Sequence, residues 1–270
     1  MDITRILTGL IGFPIVVLVL VFGNTILIDI AFAIIAALAL HEYYKCFREK
    51  EKAKPITWVG YLACTLIAFI HIIPQEFLIH IIGIIIPIFI LILFIKVIFS
   101  NMKTSIKDIA ITMLGICYIP LFLMFIPIIR GLENGICLVL YLILAAWGTD
   151  VFAFTAGRLI GKHKFSEISP NKTIEGCIGG IIGAVIMNLG YTWIINTFCQ
   201  MSFSYLAIIG ITIILSLLSQ VGDFAASAIK RYVGVKDFSN LIPGHGGMLD
   251  RIDSLIFIAP FAFYLLRLLV

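Results

Sequence analysis

Apolar residues run along this chain in uninterrupted blocks of about 20, the length of helix needed to cross a bilayer core, and short polar stretches separate them. No period-two alternation runs through the blocks, and an open sheet edge has no partner for its amides in lipid, so strands are excluded. The pattern predicts an all-α polytopic membrane protein of about nine transmembrane helices, at 5–23, 25–46, 57–73, 77–99, 106–129, 135–160, 176–198, 203–233 and 253–269. The stretch Ile6 to Phe22 exceeds a usual signal-peptide apolar region and lacks a small-residue cleavage site, so it is read as a membrane helix. Polar excursions are confined to 48–56, 161–175 and 234–251, which predicts one integral membrane domain over 1–270. Within it, N-terminal helices fill 1–100, middle helices 101–160, and the C-terminal catalytic helices and loops 161–270.

Composition agrees: 61 % hydrophobic residues and 13 % charged ones exclude a soluble globular domain. The charges are placed asymmetrically. Every lysine and arginine except Arg130 and Arg267 falls near the N-terminus or in alternate connections between helices. Under the positive-inside rule those connections and the N-terminus are cytoplasmic, and the C-terminus is outside. Any chemistry is then expected at the cytoplasmic face of the cell membrane, among membrane lipids, with no nucleic-acid partner. The six cysteines are scattered singly and read as small packing residues.

Residues 227–253 concentrate polar groups beside hydrocarbon. Asp223, Ser227, Lys230 and Arg231 share one stripe of the eighth helix, at steps of 4, 7 and 8 from the aspartate. A carboxylate at membrane depth needs a cation, a metal or water, whether to hold helices together or to do chemistry. The Pro243 to Gly247 cluster forbids a continuous helix from Asp223 to Asp250, and a loop there is expected to bring Asp250 back beside Asp223. With a divalent ion between them both aspartates remain ionised, as in Mg²⁺ sites completed by water and substrate phosphates. Lys230, Arg231, Lys236 and Arg251 supply the positive potential that a triphosphate demands, while Gly246 and Gly247 permit close approach of phosphate to backbone amides. A plain basic patch attracted to anionic lipid accounts for the lysines but not for the interleaved aspartates and glycines.

The sixth helix carries Asp150, followed by Gly157, Arg158 and a loop containing Lys162, His163, Ser169, Asn171 and Lys172. This is not a P-loop, because three residues separate Gly157 and Gly161 and His163 follows the lysine. Ser169, Asn171 and Lys172 are candidates for binding phosphate, or for turn and capping chemistry before the seventh helix. His41, His71 and His80 lie on apolar segments with no carboxylate at ligand spacing and are read as packed or interfacial; His163 is read as a loop residue. For His245, neutral hydrogen bonding and proton transfer both stay open. Asp29 has no acidic companion and no assigned role.

The run Ser227-x-x-Lys230-Arg231, four residues, then Lys236-Asp237-x-Ser239-x-x-Ile242-Pro243-x-His245-Gly246-Gly247-Met248-x-Asp250-Arg251-Ile252-Asp253 resembles the phosphatidate cytidylyltransferases, or CDP-diacylglycerol synthases, without departure over 27 positions. Arg5, Ser169 to Thr173, Glu175 and Gly176 extend the likeness. The resemblance implies formation of CDP-diacylglycerol and pyrophosphate from CTP and phosphatidate, a Mg²⁺ requirement with room for a second, monovalent ion, and a homodimer. It implies Asp223 and Asp250 as metal ligands, Ser227 lining the same site, and Lys230, Arg231, Lys236 and Arg251 receiving phosphates. His245 joins these as a catalytic candidate, and Asn171, Lys172, Gly246 and Gly247 as substrate-binding ones. Val151 departs from the small or hydroxyl residue the family often has after its sixth-helix aspartate, which leaves Asp150 without a firm role. The competing readings are a CTP-dependent kinase of a polyprenol-type lipid and an ion-coupled transporter.

Overall fold

The computed structural model describes residues 19, 20, 22–100, 103–166, 169, 172–242, 244 and 246–269. The helix expected over 5–23 lies largely outside the described residues, as do Arg5, Asn171 and His245. All described regular structure is helical: α1 Thr25–Lys50, α2 Thr57–Ile67, α3 Gln75–Phe99, α4 Ile106–Tyr118, α5 Pro120–Leu123, α6 Phe125–Arg130, α7 Gly135–Ile160, α8 Ile174–Phe198, α9 Tyr205–Tyr232 and α10 Leu249–Leu266. Two isolated β-bridges, Lys164 with Thr173 and Ile242 with Gly246, are the extended pairings among these residues.

Among the described residues, seven segments are long and apolar enough to cross a membrane, with α4 to α6 counted together as Ile106–Arg130. Pro120 and Pro127 divide that segment, since each removes an amide and crowds the preceding turn. The sequence predicted nine crossings. Besides the first, the difference lies at 57–73, where α2 has 11 residues and so rises about 17 Å, little more than half a bilayer core. Its last turn tightens through Ala68 N–H to Thr65 O and Phe69 N–H to Leu66 O, and a 3₁₀ turn at Ile70–Ile72 follows.

The described residues form two compact units, one within Met1–Gly131 and Tyr232–Arg251, the other within Leu132–Arg231 and Ile252–Val270. In the first, Asn24 caps α1 by accepting from Leu27 N at 2.8 Å, and a Ser105–Asp108 capping box starts α4. Asp108 and Thr112 on α4 then hold the α1–α2 connection, accepting from Lys54 N at 2.6 Å and Ile56 N at 2.9 Å. Apolar residues Ile56, Val59, Ala63, Phe89, Leu93, Val97, Ile109 and Ile116 close the core of α2, α3 and α4. At the other end of α1, buried Asp29 accepts from His71 Nδ1 at 2.7 Å. His71 has no carboxylate at ligand spacing in the sequence: the two are 42 positions apart and meet only through the fold.

The second unit depends on small residues. A side chain at Gly180 of α8 would meet the Thr149 carbonyl of α7 at 2.8 Å, and one at Gly183 would collide with the Phe152 ring. With the helices this close, buried polar side chains reach across: Thr149 Oγ1 donates to Ser216 Oγ at 2.6 Å and Asn188 Nδ2 to Thr212 Oγ1 at 2.9 Å. These bonds fix the rotation of α9 and so decide which way Asp223, further along the helix, can face.

Candidate functional site

A cavity of about 460 Å³ opens in the second unit among α7, α8, α9 and the loop joining α7 to α8. Its polar lining includes Asp150, Arg158, Ser169, Lys172, Gln220 and Asp223. Both intramembrane aspartates recognised in the sequence therefore face one space, and Lys172 enters it from the loop. Lys172 Nζ forms an ion pair with Asp223 Oδ2, with both side chains about a quarter to a third exposed. The same ammonium lies 4.2 Å from the centroid of the Phe224 ring, on which Phe165 stacks at 4.8 Å.

Local hydrogen bonds explain how a polar loop holds Lys172 in place. Phe165 N donates to Lys172 O and Ile174 N to His163 O, both at 2.9 Å, closing a narrow hairpin. Glu175, in the first turn of α8, accepts from His163 Nδ1 at 2.6 Å and from the amides of Lys162 and His163. Thr173 caps α8 by accepting from Gly176 N at 3.1 Å. Side chains at Gly157, Gly161 and Gly176 would all crowd that threonine, so the glycines make room for the cap. Of the stretch Ser169 to Thr173, Thr173 is the cap and also lines the cavity, together with Ser169 and Lys172. Gln220 donates to Cys177 O at 3.1 Å and ties α9 to α8 beside the cavity.

The described residues lining this cavity do not include Ser227, Lys230 or Arg231. Asp253 is buried, its Oδ1 accepting from Ser254 N at 2.8 Å, and lies within Coulombic reach of Asp223, Lys230 and Asp150. Asp253 stands in the motif without an assigned role; a carboxylate at the start of the apolar run 253–269 is the available signal.

In the first unit, the 236–251 loop is built around two carboxylates. Asp250 Oδ2 accepts from Phe238 N at 2.9 Å and Gly247 N at 3.0 Å. Glu42, buried on α1, accepts through Oε1 from Ser239 Oγ at 2.6 Å and Met248 N at 2.9 Å, and through Oε2 from Leu249 N at 2.9 Å. Gly244 and Gly246 have φ of +76° and +83°, the left-handed region that glycine enters without strain. The amide of Gly247 is directed at Asp250, and a side chain there would meet Glu42 Oε2 at 2.5 Å, so this glycine makes room for a carboxylate of its own chain. Lys236, Asp237 and Arg251 stand exposed around the loop. Glu42 was missed by the sequence reading because its partners lie 197 to 207 positions away.

Among the described residues no group of three or more His, Cys, Asp or Glu side chains is arranged to hold a metal ion by itself. The donors that face the cavity are hard oxygen ligands on Asp150 and Asp223, with space beside them.

A family model described as "Cytidylyltransferase family" matches residues 3–269. A protein of Staphylococcus aureus (strain COL) named phosphatidate cytidylyltransferase is 40 % identical over 162 residues, 60 % of this chain and 60 % of that protein. Proteins of the same name from Staphylococcus haemolyticus (strain JCSC1435) and Bacillus subtilis (strain 168) are 40 % identical over 162 residues and 42 % identical over 142. The aligned part of the chain spans 60 % of the length of the staphylococcal proteins and 51 % of the Bacillus one.

Proposed function

Because this chain belongs to the cytidylyltransferase family, we propose that it is a phosphatidate cytidylyltransferase of phospholipid biosynthesis. A phosphatidate oxygen attacks the α-phosphorus of CTP, the bond to the β-phosphate oxygen breaks, and CDP-diacylglycerol and pyrophosphate leave. The observation that carries this reading is the Asp223–Lys172 pair in a cavity that Asp150 also lines. Such a site offers a cation for phosphate and oxygen ligands for a metal in the same space.

The attacking phosphate oxygen is already ionised, so no protein nucleophile is required; positioning and charge compensation carry the reaction. Lys172 and Asp223 cancel one another's field before substrate arrives. An incoming phosphate takes the ammonium of Lys172 and releases the carboxylate of Asp223. Arg158, at the cavity wall, adds a second donor for phosphate oxygens. Asp150 and Asp223 fit Mg²⁺, which is commonly held by one or two carboxylates with water and phosphates. Bound there, the ion supplies charge neutralisation for the triphosphate and for departing pyrophosphate. We assign Asp250 as a further ligand candidate, tested on its own because one of its oxygens serves the loop amides, and Lys230, Arg231, Lys236 and Arg251 as phosphate contacts. Ser227, Asn171, Gly246, Gly247 and His245 complete the substrate-contact and proton-transfer candidates. A second, monovalent ion and a homodimer belong to the same reading.

With 57–73 counted as a crossing, as the sequence predicts, the charge asymmetry of the connecting segments supports a cytoplasmic N-terminus and site, with the C-terminus outside. CTP then enters from the cytosol and phosphatidate from the inner leaflet. The test is incubation of purified protein with Mg²⁺ and CTP labelled at the α- or γ-phosphate, offering phosphatidate or a polyprenol. Label from the α-position in phosphatidate is the expected result. Label from the γ-position in polyprenol makes the protein a lipid kinase, and no label in either lipid removes both enzyme readings.

A further inference from the structure

We propose that Glu42 is a positioning residue for the reaction: from α1 it sets the conformation of the 236–251 loop, through which Lys236 and Arg251 meet substrate phosphate. This rests on the cytidylyl-transfer reading. Glu42 is 3 % exposed and lies on a helix whose outward faces are apolar. A buried carboxylate is costly unless its oxygens find donors, and those of Glu42 find three, all on the loop: the Ser239 hydroxyl and the amides of Met248 and Leu249. Hydrogen bonds to a charged group are shorter and stronger than neutral ones, and here they gather at one side chain. One turn further along α1, Cys46 Sγ donates to Phe238 O at 3.0 Å, so a single face of α1 grips the loop at both of its ends.

The geometry specifies an acceptor and not merely a filler. Met248 directly precedes α10 and Leu249 begins it, and the first amides of a helix have no partner within it. The carboxylate of Glu42 satisfies them, as a capping side chain normally does from within its own segment. Asp250 pins the adjacent strand of the loop through the amides of Phe238 and Gly247. Four amides and one hydroxyl are thereby turned toward the two carboxylates, while Lys236 and Arg251 remain exposed. The Gly247 position repeats the requirement, since any larger residue there would strike Glu42 Oε2.

The experiment uses the full chain in detergent with CTP, phosphatidate and Mg²⁺, comparing E42Q, E42D, S239A and the wild type. Glutamine keeps the shape of the side chain but presents an NH₂ where a backbone amide or hydroxyl also donates. The expected result is a loss in kcat/KM of at least about tenfold for E42Q, the effect of one buried donor left unpaired, with KM for CTP raised more than KM for phosphatidate. S239A, which removes one donor to Glu42 and the acceptor of Leu241 N but leaves both amide bonds to Glu42, should lose about threefold or less, and E42D should fall between E42Q and the wild type. Hydrogen exchange gives a readout that needs no turnover: the amides of Met248 and Leu249 should exchange faster in E42Q, with those of α7 and α8 unchanged. An active wild type with an equally active E42Q overturns the proposal. So does an E42Q whose kcat falls only in proportion to folded protein, with both KM values unmoved. An inactive wild type with the exchange change present would instead sink the cytidylyl-transfer reading. If E42Q does not fold, S239A and E42D carry the same comparison.

Discussion

The second-unit cavity and the first-unit loop both centre on carboxylates in a greasy chain, yet they treat them in opposite ways. Asp223 meets a lysine ammonium beside open space, whereas Glu42 is surrounded by amides and a hydroxyl of its own chain. The ammonium can be exchanged for a metal or moved onto a phosphate without breaking backbone structure. Releasing Glu42 means unpairing the start of α10. Membrane depth alone therefore does not mark a carboxylate as catalytic; whether its partners can be replaced by substrate does.

Asp223→Asn should break the comparison most severely, lowering CMP transfer from α-labelled CTP by about 10³-fold if the carboxylate is the metal ligand proposed. Activity within tenfold of the wild type would move the reacting centre away from this cavity. Asp250→Asn sharpens the boundary between the two kinds of carboxylate, because the amide oxygen can still accept from Phe238 N and Gly247 N. As a metal ligand Asp250 should cost on the order of 10²-fold when replaced, with weaker activation across a Mg²⁺ titration; a change below about threefold would leave it a loop-holding residue like Glu42.

Lys172→Met retains an unbranched side chain of similar length and removes the charge, and is expected to lower kcat/KM for CTP by roughly 10²-fold. An unchanged value would mean that the pair with Asp223 is only structural. Asp150→Asn should have the smallest effect, about tenfold on kcat/KM, as for loss of one charged contact. A still smaller effect, with unaltered Mg²⁺ dependence, would remove Asp150 from the proposed donor set.

Hydrophobic block length and charge alternation were sufficient for the membrane class and for most long helices, because lipid demands about 20 apolar residues per crossing wherever the chain later packs. Charge beside hydrocarbon, visible in one dimension, drew attention to Asp223 and Asp150, while Lys172 stood in the sequence as one of several loop residues open to phosphate binding or turn chemistry. The short α2 was not legible: its last turn ends through local i to i+3 bonding with no proline or glycine to announce it. Nor was the early start of α10 at Leu249, four residues before the position predicted, because the group that satisfies its first amides is Glu42, far away in sequence. The sequence by itself determined which residues could not remain alone in a membrane. Only the tertiary structure decided which partner each received, since hydrogen bonds and ion pairs are fixed by distances in space: Lys172 for Asp223, His71 for Asp29, and three donors of one loop for Glu42.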